Sequence, residues 1–447
     1  MSHFPIAGAV LLAVTASTAY AQPSPAAPPA ESHDAAMANA ADAAAEAAAI
    51  AATPGAAHPA DDVDLTALGL DASGGAIFDD KLNIYGFADM SWQRQWGGPN
   101  AITQQSFVSG KLNLYFAKAF TPKWRFLAEI RFMYAPNGSA ADTGTAGPST
   151  APPTNTTVAD TTDFNHPLTW GGIAIQRAYV DYALDTLLTI RAGHFLTPYG
   201  IWNVDHGSPA IISAYAPHII SEALFPEAQT GLELYGSALV GDYQVGYYAT
   251  LSNGRSPVEP TQDLDHRVAL GGRLEFEAPW AGTFKVGVSA YGGRATEIVT
   301  QAPPLPPGAP PDPTAPTVPY QWSYNEHDYA ADVQWDHGGL HLQAEYIYHH
   351  RDPAGDIVTP SSQGTNQGYY VFAGYRFDRL WNVMPFSYYE SWSPLGGAVN
   401  IKEINGGFNF RPTPAVVLKA MMSDVWGGSA SPGPDLRIFT TQLTCVF

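Results

Sequence analysis

Two groups of side chains in this sequence could do chemistry: histidines beside acids, and arginines alternating with acids. His341, His349, His350 and Asp352 invite a metal-site reading. Adjacent residues on a strand point to opposite faces, so His349 and His350 cannot converge, and His341 shares a side with His349 only at a distance. No metal is expected from this run. GxSxG, HExxH, P-loop and CxxC patterns are missing too, and no triad assembles from spacing, so neither an enzyme nor a cofactor is expected. The charged rows are more regular. Arg125, Glu129 and Arg131 alternate with Trp124, Phe126, Ala128, Ile130, Phe132 and Tyr134. Arg267, Arg273, Glu275 and Glu277 oppose Val268, Leu270, Leu274 and Phe276; Asp328, Asp332 and Asp336 oppose Tyr329, Val333 and Trp335. His341, Gln343, Glu345 and His349 oppose Leu340, Leu342, Ala344, Tyr346 and Tyr348. Fixed charges of both signs on one face can steer ions; an aromatic row on the other cannot face water.

The element that positions such rows is a strand with a polar face and a greasy face, the pattern of a membrane strand. About sixteen such segments run between residues 81 and 447, an even number, joined alternately by brief turns and by long loops rich in Pro, Gly, Ser and Thr. An all-β, transmembrane antiparallel barrel of about sixteen strands follows, because in lipid every backbone N–H and C=O needs an internal partner and closure removes both edges. Composition agrees. Charged residues are 14% and aromatic residues 12%, against roughly 25% charged in an average soluble domain. No apolar stretch of about 18 residues follows the N-terminus, so no membrane-spanning helix is expected. The single cysteine, Cys445, forms no internal disulfide and reads as a small apolar residue of the last strand.

The ends fix the expected route. Residues 1–21 carry an apolar run from Ile6 to Val14 and finish Ala19-Tyr20-Ala21, the pattern of a cleaved signal peptide. Residues 22–80 are Pro-rich, then Ala-rich, then acidic, and read as a periplasmic linker that is part helical over Ala35 to Ala52, or as a short coiled-coil oligomerisation segment. The formal net charge is −20. Ten acids and no bases fall in residues 22–80, which leaves −10 for residues 81–447 and gives no support to nucleic-acid binding. The terminal Phe447, preceded by Phe439, Thr441, Leu443 and Cys445 on one face, resembles the signal read by the barrel-assembly machinery. The expected location is the outer membrane, with outer-membrane lipid around the barrel.

A barrel of sixteen strands is too wide for side chains to fill and leaves an aqueous channel unless plugged. Passive diffusion of small hydrophilic solutes or ions is therefore the expected activity, with a non-conducting adhesin or scaffold as the competing class. Residues 196–228 are too apolar for a solvated loop: Tyr199, Ile201 and Trp202, then Asp205-His206, then Ile211-Ile212, Ile219-Ile220 and Phe225-Pro226-Glu227. The expectation is that this segment folds inward and narrows the channel, with Tyr199, Trp202, Asp205, His206, Phe225 and Glu227 at the constriction. A surface lid or a trimer contact is the alternative.

The stretch Arg191-Ala192-Gly193-His194-Phe195-Leu196-Thr197-Pro198-Tyr199-Gly200 resembles the Arg-x-Gly-x-Phe-x-x-Pro-Phe-Gly motif of the phosphate-selective porins, the O and P porins. Phe225-Pro226-Glu227 with Thr230-Gly231-Leu232, and Leu251-Ser252-Asn253-Gly254-Arg255, are similar to its following segments. The resemblance is motif-level over residues 173–277 and extends in strand count over 81–447. It implies a homotrimer of sixteen-strand barrels whose third external loop constricts the pore. Anion specificity in that family rests on an arginine ladder and a lysine cluster, and this chain has seven lysines and no matching cluster. Its expected pore-lining set is mixed in sign: Arg125, Glu129, Arg131, Arg177, Asp181, Arg191, Arg267, Arg273, Glu275, Asp328, Asp332, Glu345 and Arg376. That mixture favours a transverse field over an all-positive phosphate path, with phosphate or polyphosphate selectivity as the alternative.

Overall fold

The computed structural model describes residues 81–97, 104–134, 170–203, 207–221, 224–255, 266–301, 318–354, 364–377, 380, 382–393, 400–428 and 436–447. The signal-peptide and linker expectations for residues 1–80, and Asp205 and His206, lie outside these. The described chain is a run of strands: β1 (Asn83–Gly97), β2 (Gln104–Ala119), β3 (Trp124–Tyr134), β4 (Trp170–Ala183), β5 (Thr189–Leu196), β6 (Ala228–Val240), β7 (Tyr243–Ser252) and β8 (Ala269–Ala278). They continue as β9 (Thr283–Gln301), β10 (Val318–His337), β11 (Leu340–Pro353), β12 (Gly364–Tyr375), β13 (Val383–Ser393), β14 (Asn400–Thr413), β15 (Val416–Gly428) and β16 (Leu436–Val446). A single helical turn, α1 (His218–Ser221), sits between β5 and β6.

Every strand pairs with its sequence neighbours, and β1 pairs with β16, so the sixteen strands close into an up-and-down barrel. Closure is sealed at the chain end, where Gly86 and Phe447 exchange backbone hydrogen bonds of 2.8 and 2.9 Å. No edge is left with unpaired backbone, the requirement for any sheet surrounded by lipid. Connections of two to seven residues at one end of the barrel alternate with connections of six to 35 residues at the other.

Alternation decides which way each side chain faces. On β8, Leu270 and Leu274 are exposed on the outer face while Arg273 is buried inside. On β11, Tyr346 is outside and Gln343, Glu345, Ile347 and His349 are inside. The outer surface is a belt of large apolar side chains, among them Leu232, Val288, Val371, Ile404 and Phe408. Aromatic pairs cluster on that surface beside the short turns: Trp124 with Tyr182 at 4.6 Å, Trp280 with Phe284 at 5.3 Å and Tyr375 with Phe377 at 4.8 Å. An apolar belt bordered by aromatics is the surface a barrel presents to a bilayer and its interface. Cys445 lies on this outer face, exposed.

One departure from strict alternation matters to the interior. The β3–β4 register slips between Glu129 and Ile130, which face Arg177 and Ile175 respectively. This bulge reverses the parity of β4, so Ile173 and Ile175 point outward while Arg177, at the same odd spacing, turns inward and is fully buried.

Candidate functional site

The lumen wall carries its charges in pairs. Across β3–β6, Arg177 Nε lies 3.4 Å from Glu129 Oε2, with both side chains fully buried. Arg191 on β5 is shared by its two neighbouring strands: its Nε donates to Asp181 Oδ1 at 2.9 Å and its Nη1 to Glu233 Oε1 at 3.2 Å. Its guanidinium also lies over the ring of Tyr179, 3.9 Å from the centroid. Arg125 reaches Asp181 at 3.7 Å, and Asn113 donates to Glu129. Farther round, Arg273 on β8 grips Asp332 on β10 with two hydrogen bonds of 2.6 and 2.9 Å and also approaches Glu275 at 3.6 Å. Buried ions in such a wall persist only because partner and hydrogen bonds offset their desolvation.

Of the residues expected to line the pore, Arg125, Glu129, Arg131, Arg177, Asp181, Arg191, Arg273, Glu275, Asp328, Asp332 and Glu345 all point inward along their strands. Arg376 is half-buried one residue beyond β12, at the short-turn end. Arg267 requires correction. It is exposed and precedes β8, whose pairing with β7 begins at Ala269, so the last wall position on that strand is two residues away and Arg267 sits at the rim.

The described residues of the segment 197–227 lie inside the barrel. Tyr199, Ile201, Trp202, Ile211, Tyr215, Ile219, Leu224 and Phe225 form one buried apolar cluster with inward side chains of the wall, including Tyr291, Ile347, Tyr370, Phe386, Trp392 and Ile401. Its apolar composition has this cause: the side chains are covered by the barrel, not by solvent. Glu227, half-buried, closes the base of the segment through its backbone carbonyl, which accepts the Thr197 N–H at 3.0 Å.

Two glycines make the docking possible. At Gly200 the backbone takes φ +71° and comes so close to the wall that an added Cβ would stand 1.9 Å from Glu345 Oε1. Its N–H donates to Ser289 Oγ at 3.2 Å. Gly271 is the converse, a gap in the wall: a Cβ there would meet the Tyr199 hydroxyl at 2.0 Å, and that hydroxyl instead reaches Thr250 Oγ1 at 2.5 Å. The Pro198-Tyr199-Gly200 motif is therefore the point where the chain leaves β5 and turns into the lumen.

On the opposite wall the segment supplies partners to inward side chains of the strands. Lys419 Nζ donates to the carbonyls of Ser208 at 2.7 Å and Ser213 at 2.9 Å. Arg411 donates to Pro209 O at 2.6 Å and Asn409 to Ile212 O at 3.0 Å. Tyr215 meets Ser423, and Ser208 Oγ donates to Asp89 Oδ2 at 2.6 Å. Glu403 and Glu390, both fully buried, approach α1 through His218 Nε2 at 2.9 Å and the Ile219 N–H at 3.3 Å.

Sequence reasoning missed Glu233, Glu390, Glu403, Arg411 and Lys419. Each occupies an inward parity position; Glu233, Glu390 and Lys419 are the only charges on the inward rows of their strands, and Glu403 and Arg411 lie eight residues apart on β14 with only asparagines and a glycine between them, so no row of charges advertised them. The histidine run divides as expected from strand geometry. His349 points inward to Asp328 at 2.5 Å, His341 meets Asp336 at 2.6 Å, and His350 contacts Thr365 and Asp352.

No protein-family profile matches the sequence. An uncharacterised protein of Aquifex aeolicus is 21% identical over 359 residues, 69% of this chain and 68% of that protein. Among solved structures, an anion-selective porin from Comamonas acidovorans superposes with a TM-score of 0.53 at 9% identity, covering 82% of this chain and 99% of that one. A loop L8 deletion mutant of OmpT, an outer membrane protein of Vibrio cholerae, superposes with a TM-score of 0.51 at 9% identity, covering 83% and 100%. At these identities what is shared is the fold.

Proposed function

We propose that the protein is an outer-membrane porin giving passive diffusion of small hydrophilic solutes or ions, through a lumen narrowed by the segment 196–228. The observation that carries this reading is a closed sixteen-strand cylinder, apolar outside and charged inside, with that segment docked against its inner wall. A barrel of this strand number encloses an aqueous path, and the inward segment reduces its cross-section. The resemblance to the phosphate-selective porins implies a homotrimer, while the terminal Phe447 favours insertion by the barrel-assembly machinery and residues 1–21 favour delivery by a cleaved signal peptide.

Selectivity follows from pairing. Arg177, Arg191 and Arg273 each face a wall carboxylate at 2.6 to 3.4 Å, so they do not form a ladder free to pass phosphate from one guanidinium to the next. The wall instead holds both signs at close quarters, which favours weak, size-limited selection over phosphate specificity. Planar-bilayer recording of the purified protein tests the reading. Stable open steps with a small reversal potential in a salt gradient support it; a strongly anion-selective reversal potential points to a phosphate path. Silence would identify a non-conducting scaffold.

A further inference from the structure

We propose that His218, Glu390 and Glu403 bind one divalent transition-metal ion of the zinc or manganese type, which fastens the inward segment to the barrel wall. Glu390 and Glu403 stand directly opposite each other in the β13–β14 register, and neither has any exposed surface. Like charges directly across a ladder repel, and burying them without a counter-charge is costlier still. Arginines answer the carboxylates of the β3–β6 wall. Here the residue brought against the pair is a histidine, carried by the inward segment, with Nε2 2.9 Å from Glu403 Oε2.

The donors are arranged for an ion. One ligand atom from each residue lies within 4.8 Å of the others. Protein N and O donors sit about 2.0–2.2 Å from a tetrahedral zinc, which places adjacent donors about 3.4 Å apart; His218 and Glu403, at 2.9 Å, need to part by only about half an ångström to admit it. Glu390 supplies a second, independent sign. Its Oε2 accepts the Ile219 N–H at 3.3 Å, whereas its Oε1 is buried with no hydrogen-bond partner among the described residues. One carboxylate oxygen is thus held in place while the other is left with an unused lone pair. Tyr215, whose hydroxyl lies 3.5 Å from Glu403 Oε1, provides the outer hydrogen bonding that orients metal-ligating carboxylates.

Once deprotonated to ligate, the two carboxylates with a neutral imidazole carry two negative charges, which one divalent cation balances. An imidazole donor and only three protein ligands argue against calcium, which takes six to eight oxygens, and against magnesium, which keeps its water. The other buried cluster, Glu326, Asp328 and His349, shows what a filled site of this composition looks like. There Arg255 Nε lies 3.1 Å from Glu326 and Arg351 Nε donates to His349 Nε2 at 2.7 Å, so side-chain cations already occupy the position.

The test is titration of Zn2+ into the full-length folded protein in detergent after chelator treatment, read by calorimetry and by metal content after gel filtration. One equivalent per chain is expected. His218→Ala and Glu390→Gln should each weaken binding at least about tenfold, while Glu390→Gln, which removes the repulsion, keeps the folded barrel by circular dichroism and heat-modifiable migration. Failure of both Zn2+ and Mn2+ to bind stoichiometrically overturns the proposal, and so does uptake that Glu390→Gln leaves unchanged, since surface groups such as His350 and Asp352 would then be the binders. Because the readout is binding, it stands apart from whether the barrel conducts.

Discussion

The wall of β3–β6 and the wall of β13–β15 use similar side chains and complete them differently. On the first, charge meets charge within the wall: Arg177 with Glu129, Arg191 with Asp181 and Glu233. On the second, Asn409, Arg411, Lys419, Glu390 and Glu403 find partners on the segment 208–219. The first wall would still have these ion pairs if the segment were withdrawn. The second would lose the contacts that Lys419, Arg411, Asn409, Glu390 and Glu403 make with the segment, keeping only those within the wall, such as Arg411 with Asn409 at 3.3 Å. Position of the segment in the lumen is therefore written into β13–β15, while β3–β6 is a self-paired surface.

The comparison can be broken by substitution, and the largest effect belongs to the self-paired wall. Arg177→Ala leaves Glu129 as a buried uncompensated charge, a loss of about 3–5 kcal/mol, and denaturant unfolding should show the same loss in a variant lacking residues 203–222. If the two changes were not additive, the β3–β6 wall would depend on the segment after all. Next is Gly200→Ala, where a left-handed residue gains a Cβ at a cost of about 1–2 kcal/mol, compounded by the collision with Glu345. The segment should detach locally, raising the proteolytic sensitivity of residues 203–222 without loss of the barrel. Lys419→Met strips two carbonyls of their donor, for about 1–3 kcal/mol. Unlike the first substitution, it should lose most of its effect when residues 203–222 are already deleted. The smallest change is Arg267→Ala at the exposed rim, expected within about 0.5 kcal/mol in the same unfolding assay; a larger loss would return Arg267 to the wall.

The same contrast marks what the sequence could disclose. The barrel was legible because alternation is local: Phe126 to Phe132 and Leu340 to Tyr348 each declare two faces within one strand. The inward course of the described part of 197–227 was legible from Ile, Trp and Phe in a stretch too long for a turn. The β4 bulge was hidden, since Ile173, Ile175 and Arg177 share one spacing and only the slipped pairing with β3 separates them. The cluster of His218, Glu390 and Glu403 was hidden for a different reason. Its members join across more than 170 residues of chain, and barrel closure, not spacing, brings them together.

If the inward segment narrows a conducting lumen, unit conductance in a planar bilayer must register it. With residues 203–222 deleted and the barrel intact, each open step should grow severalfold over that of the full chain, with less discrimination between small and large ions. Equal steps from the two proteins would place the segment outside the conduction path and contradict the account.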